Sequence, residues 1–361
     1  MSPVSDLRLA GLAEILLPCA DLAPSLDFFV GQLGFRIDVI FPAEEPHTAS
    51  LSGYGLRLRL APTGGDPGVI RLACENPDAA PGRRLVAPNG TRIDLVEVDA
   101  PLATLAFHPE FLVTRASDGP APGEGRAGMI YRDLIPSRLG GAVVASHITI
   151  PEGGPVADWV HFHKVAFQMI FCRRGWVKLV YEDQGEPFIL SAGDCVLQPP
   201  CIRHRVLESS ESLEVVELGC PALHETLADH EMALPTGRVL PDRDFSGQVF
   251  LRHIAAQASW LPYGEGFERR DTGMTQATRG RAEIFVLRPA SVDRLNVAAH
   301  RGDLLFGFVL EGAATLERQG EYALAATDAF VIPPGEDWGL RNCSPDLLLL
   351  QVALPGGQPE R

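Results

Sequence analysis

Apolar and polar residues alternate over short runs along most of this chain, and one run has helical spacing instead. In "DLAPSLDFFVGQLG" the residues Leu26, Phe29, Val30 and Leu33 recur at intervals of three and four, which is one face of a helix. Asp21 stands where a side chain can cap that helix, and Gly34 where a glycine ends one. Strands are expected on either side, at "AEILLP", "FRIDVIF", "TASLSGYGLRLRLAP" and "VIRLAC". In "RRLVAPNGTRIDLVEV" the Asn89-Gly90 pair predicts a two-residue hairpin turn. Residues 1–105 therefore read as an α+β module with one helix among many strands.

"ASDGPAPGEG", residues 116–125, has the composition of a linker, and 106–125 is assigned to it. Beyond it, short strands separated by Gly, Pro and Asp turns predict an all-β region. That region repeats itself. "YRDLIPSRLGGAVVASHITI" is echoed by "RRDTGMTQATRGRAEIFVLRP", and "AGDCVLQPPCIRH" by "ATDAFVIPPGEDW". Two related β-barrels are expected, at 126–232 and 263–361, joined by a connection over 233–262.

A length of 361 residues exceeds one ordinary core and fits this division. The net charge of −15 excludes a nucleic-acid footprint and disfavours an anionic membrane surface. No apolar run reaches the roughly 18 residues of a membrane span. Seven cysteines without regular spacing argue against a disulfide scaffold, so a reducing cytoplasm is the expected location.

The stretch "HFHKVAFQMIFCRRG" carries the most specific chemistry. Residues i and i+2 of a strand share a face, so His161 and His163 point to the same side. With Gln168 and Gly175 they reproduce the spacing of the first cupin motif, in which a glutamate usually stands at the position of Gln168. Gly193, Pro199, Cys201 and His204 follow the second motif, with Cys201 in place of a glycine. Both C-terminal blocks resemble cupins, and the pair resembles a bicupin. The N-terminal block resembles the vicinal-oxygen-chelate, or glyoxalase-like, fold through "ADLAPSLDFFVGQLGF" and "APNGTRIDLVE". The resulting fold class is mainly β: a glyoxalase-like module followed by two tandem double-stranded β-helix barrels.

The cupin resemblance implies a metal site of His161, His163, Gln168 and His204. Neutral imidazoles suit one divalent first-row ion: Fe, Mn, Ni, Co, Cu or Zn. Gln168 can ligate through its amide oxygen but cannot act as a general base. A proton must then move through a hydroxide on the metal, the substrate or another side chain. Without the glutamate the site keeps a charge of +2, which favours an anionic chelating substrate.

Aligning Gly312 with Gly175 places Ala298, His300, Leu305 and Trp338 at the ligand positions of the second barrel, a set that cannot hold a divalent ion. In the N-terminal module Glu14 and Asp94 fall at two of four ligand positions, so no metal is expected there. A binding or dimer-forming role is the modest inference. Arg132, Asp133 and Arg138 before the first barrel are partly repeated by Arg270 and Asp271, which suggests a structural ion pair. Arg138 remains a candidate for binding an anionic substrate, together with Tyr181 and Gln198 on strands that can face the cavity. Cys172 reads as packing. His224 and His230 lie six apart, too far for a helical metal pair.

The resemblance implies a mononuclear metal enzyme acting on a small anionic or enolisable molecule, with dioxygenases as the largest class. Two alternatives stay open. One is a redox-neutral isomerase, cyclase or lyase; the other is a non-catalytic binding or sensing protein. The partners expected are a small-molecule substrate and a second copy of the chain.

Overall fold

The computed structural model describes residues 13–98, 102, 105–117, 123–125 and 128–355. The chain divides into two compact units, Met1–Pro101 and Leu102–Arg361.

In the N-terminal unit the strands Ile15–Pro18, Leu56–Ala61, Thr48–Gly53 and Arg36–Phe41 form one sheet in that order. The amphipathic run forms the helix Leu22–Leu26, which continues as a π-helical segment Asp27–Gln32. It buries Leu22, Phe28 and Phe29 with Leu17, Leu51, Leu58 and Leu60 of the sheet. Gly34 follows with φ +77, as expected of a terminating glycine. Asp21 occupies the N-cap position but its side chain caps nothing; the Ser25 hydroxyl instead donates to the Asp21 carbonyl.

A second sheet has the order Val69–Cys74, Arg92–Glu97, Arg84–Val86. Its hairpin turn differs from the expected two-residue form. Ala87 N donates to Thr91 O, leaving Pro88, Asn89 and Gly90 as a three-residue loop. Pro88 presets the first bend, and Gly90, at φ +88, supplies the left-handed position that closes such a loop. Glu14 is held by Arg59 at 2.7 Å and Arg57 at 3.0 Å, and Asp94 lies 3.4 Å from Arg92. Both carboxylates are therefore committed to guanidinium groups.

The C-terminal unit holds two barrels, each of one large and one small sheet. The first large sheet runs Leu251–His253, Cys195–Leu197, Phe167–Arg174, Leu213–Cys220, Val144–Ile150, Ile130–Asp133, Gly123–Glu124. The second runs Leu261–Tyr263, Phe267–Asp271, Glu283–Pro289, Leu348–Leu354, Leu304–Glu311, Ala329–Ile332, Leu112–Thr114. The outer strands are exchanged. Leu112–Thr114, from the segment assigned to the linker, pairs in the second barrel; Leu251–His253, from the assigned connection, pairs in the first. The barrels are thus interleaved at their edges, and Phe171, Val216, Val286, Phe306 and Val352 share one core.

The sequence repeat has a local cause at each position. Asp133 accepts from Ile135 N and Asp271 from Gly273 N, so each aspartate shapes the turn after its strand. Asp194 accepts from Ser191 N and Ala255 N, and Asp328 from Ala325 N and Ala116 N. Each of these two therefore ties its own turn to the strand lent by the other barrel. Gly175 and Gly312 have φ +77 and +74, and a Cβ on either would fall within 2.4 Å of a serine hydroxyl.

The arginines do not form the repeated ion pair that the pattern suggested. Asp133 pairs with Arg138 at 2.7 Å, while Arg132 is directed into the second barrel and donates to Thr327 O. Arg270 lies over Trp260, beside Gly193 of the first barrel. Burial pushes both guanidinium pKa values down. What repeats is a bridge between barrels.

The second barrel is filled by its own side chains. Leu305, Phe330 and Trp338 are buried, with Phe267, Phe285 and Leu340 around them. Gly307 leaves room for the Phe330 ring, which a Cβ would meet at 2.2 Å. His300 donates from Nε2 to Ile332 O at 2.8 Å. It is a hydrogen-bonded residue of a packed barrel.

Candidate metal centre

The first barrel places three imidazoles together. His161 and His163 are buried on one face of the strand His161–His163, while Phe162 between them lies under the Arg203 guanidinium. His204 pairs directly with His161 across the neighbouring strand, and their ring centroids are 4.2 Å apart. One ring nitrogen of each histidine lies within 4.8 Å of those of the other two.

The hydrogen bonds set which nitrogens those are. His161 Nδ1 is 2.8 Å from Trp159 O and His204 Nδ1 is 3.0 Å from Ile202 O. A carbonyl only accepts, so each ring carries its proton on Nδ1 and its lone pair on Nε2. His163 Nδ1 is 3.4 Å from the Thr226 hydroxyl. Three convergent neutral imidazoles, pinned from behind, are what a divalent first-row ion requires.

Gln168 reaches the same cavity, but its amide is engaged. Its Nε2 donates to Glu217 Oε1 at 2.6 Å. The sequence reading missed Glu217. A signal was present in "LEVVELGC": Glu217 shares the period-two face of Leu213 and Val215, both buried, so a carboxylate interrupts an inward apolar row. The strand register gives the second-barrel equivalents. Ile170 pairs with Glu217 and Gly307 with Gln351, so Leu305 and Gln351 stand where the first barrel has Gln168 and Glu217. The expected site of uncompensated +2 charge is therefore revised, because a carboxylate lines the cavity one strand away from Gln168.

The cavity has a volume of about 90 Å³. The three histidines, Gln168, Glu217, Tyr131, Tyr181 and Gln198 make its polar part, and aliphatic residues such as Ile148, Ile170, Leu179 and Val215 its walls. Among the described residues no lysine or arginine lines it. Tyr181 stacks on His204 at 5.4 Å between ring centroids and is packed by Phe250 at 4.6 Å. Burial pushes its phenol pKa up. Its hydroxyl lies beside the Gln198 amide without a partner in full hydrogen-bond geometry, so it stands as a neutral donor.

Arg138 lies farther out. With Asp133, Ser146, His224 and Thr226 it lines a vestibule of about 460 Å³, which shares Tyr131, His163 and Glu217 with the inner cavity. His224 sits 5.4 Å from the His163 ring, with Nδ1 2.9 Å from Pro221 O. Cys172 is fully buried, and desolvation pushes its thiol up to about 12, so it remains a packing residue. Among the described residues no helix is long and apolar enough to cross a membrane.

Residues 146–219 match the cupin domain family. The structure resembles the E. coli protein YlbA, at 12% identity over 72% of this chain and 96% of that one, with a TM-score of 0.52. It also resembles a mutant of Bacillus subtilis oxalate decarboxylase OxdC, at 11% identity over 73% of this chain and 81% of that one, with a TM-score of 0.51. Another structure of that enzyme, 11% identical over 73% of this chain and 81% of that one with a TM-score of 0.51, is described by its Mn(II) centres. No curated protein matches the sequence. At these identities the likeness is one of fold. The match at residues 146–219 thus lies in a mainly β chain with a cupin-like fold, which resembles that of the bicupin oxalate decarboxylase.

Proposed function

We propose that this protein is a metal-dependent enzyme that takes a proton from a small substrate held at His161, His163 and His204, with Glu217 as the base. The observation that carries this reading is the Gln168–Glu217 hydrogen bond of 2.6 Å in the wall of the histidine cavity. A divalent ion held by these three imidazoles would supply Lewis acidity, which lowers the cost of removing a proton from the substrate. Glu217 is the carboxylate in the cavity wall suited to receive that proton. Gln168 fixes one of its oxygens and so aims the other. Tyr181 and Gln198 offer donors to the charge that develops on the substrate.

The cavity favours a substrate that enters neutral. Among the described residues it is lined by a carboxylate and by no lysine or arginine, and its walls are aliphatic. A volume of about 90 Å³ suits a molecule of a few carbon atoms, well below the roughly 300 Å³ of a drug-sized site. Arg138 meets whatever passes the vestibule, although Asp133 already holds it.

We place the reaction first among the dioxygenases acting on enolisable compounds, since three neutral ligands leave room for substrate and O₂ in apolar surroundings. The second reading is a redox-neutral isomerisation, cyclisation or lyase reaction. Glu217 favours it, because a base that takes a proton at one atom can return it at another. Oxygen uptake and deuterium exchange from solvent, measured on small enolisable carbonyl compounds, test both readings. Exchange with uptake supports the first, and exchange without uptake the second. Absence of both in metal-loaded protein would contradict the enzymatic reading. Glu217→Gln should keep the metal and lose roughly 10²–10⁴-fold of the exchange rate.

For the N-terminal unit, the strand–helix–three-strand order and the sheet built from it support the glyoxalase-like reading. The arginine pairing of Glu14 and Asp94 makes a binding or dimer-forming role preferable to a second metal site.

A further inference from the structure

Asp158 lies three residues before His161, and its side chain is fully buried. Its Oδ1 is 3.6 Å from His161 Nδ1, and its Oδ2 accepts from Val206 N at 2.9 Å. Val206 lies two residues beyond His204 on the strand His204–Ser209. One carboxylate is thus fastened to the strand of one histidine while it faces the ring of another.

An asparagine oxygen would also accept from the Val206 amide, so the approach to the His161 ring is what distinguishes a carboxylate at this position. His161 Nδ1–H already donates to Trp159 O, and an anion at 3.6 Å further favours the proton on Nδ1 and the lone pair on Nε2.

We infer that Asp158 is a positioning residue of the metal centre, which fixes the His161 ring and offsets the charge of the ion. This rests on the reading of His161, His163 and His204 as metal ligands. It also extends the answer to Gln168. Around the three neutral imidazoles stand two carboxylates, the buried Asp158 behind His161 and the half-buried Glu217 in the cavity wall. The centre as a whole is then close to neutral, in keeping with a substrate that enters uncharged.

The test is titration of the full chain with Mn(II) and with Co(II) alone. Asp158→Asn keeps an acceptor for Val206 N, so the metal-free variant should melt within a few degrees of the parent protein. Its metal dissociation constant should rise roughly 10–100-fold, with a shift of the Co(II) absorption bands. Asp158→Glu, which retains the charge, should lose less. An unchanged constant in Asp158→Asn would overturn the inference, as would equal losses in the two variants. A measurement on the parent protein covers the case in which neither variant folds. Nitrogen NMR of the metal-free protein should place the His161 proton on Nδ1, and a proton on Nε2 would overturn the inference. If the parent protein binds neither ion, the metal-centre reading itself falls.

Discussion

The Gln168 amide donates to the Glu217 carboxylate across 2.6 Å, and this pair relocates the negative charge of the cavity. A glutamate at position 168 would face Glu217 with two oxygens at hydrogen-bond distance. One of the two carboxyls must then keep a proton, and its pKa rises. A raised folded-state pKa means stability that is fully present below the unfolded value of about 4.3 and lost as pH rises through the folded value. Metal-free Gln168→Glu should therefore melt close to the parent protein at pH 4–5 and fall behind it by about 1–3 kcal/mol toward pH 8. Added Mn(II) should narrow the gap. Melting curves across that range check the prediction, and a gap independent of pH would contradict it.

Glu214 joins the first barrel to the second. His147 donates to it at 2.9 Å, Arg173 pairs with it at 2.5 Å, and the same arginine donates to Leu310 O of the other barrel. The His147 hydrogen bond, then the Arg173 charge, hold its carboxyl at about 2 against an ordinary 4.5. A lowered folded-state pKa gives stability that is present above the unfolded value and lost as pH falls toward the folded one. Glu214→Gln should cost on the order of 1–3 kcal/mol at pH 7, and the deficit should shrink as pH drops from about 4.5 toward 2. Chemical denaturation at several pH values measures it.

Asp328 should hold both barrels together. It accepts from Ala325 N in its own turn and from Ala116 N beside the strand lent to its barrel. Asp328→Ala leaves two amides without an acceptor and should cost about 2–4 kcal/mol. Calorimetry should show residues 102–361 still melting in one transition, at a lower temperature. Two separate transitions within residues 102–361 of the parent protein would contradict the interleaved core.

These cases mark how far the sequence could be read. The helix ending at Gly34, the repeat and the three histidines depend on local spacing, and all three were visible. The strand exchange at Leu112–Thr114 and Leu251–His253 was not, because both strands are three residues long and lie next to linker-like composition. Glu217 was missed because its partner Gln168 lies 49 residues away, and only the strand register brings them together. The turn after Ala87 was misjudged because Pro88 took the first bend and moved Asn89-Gly90 along by one position.

The second barrel offers a negative control. His300 is bonded to Ile332 O, and Leu305 and Trp338 occupy the interior. His300→Ala should lower stability modestly, by roughly 1 kcal/mol, and leave metal content unchanged. A loss of bound metal would contradict the packed-barrel assignment.

The central claim is that His161, His163 and His204 form a metal centre in the first barrel. Elemental analysis of protein purified without added metal tests it most directly, with the parent protein beside His161→Ala combined with His163→Ala. The account predicts about one first-row ion per chain in the parent and almost none in the double variant, since one imidazole cannot hold the ion. A full equivalent retained by the double variant would contradict it.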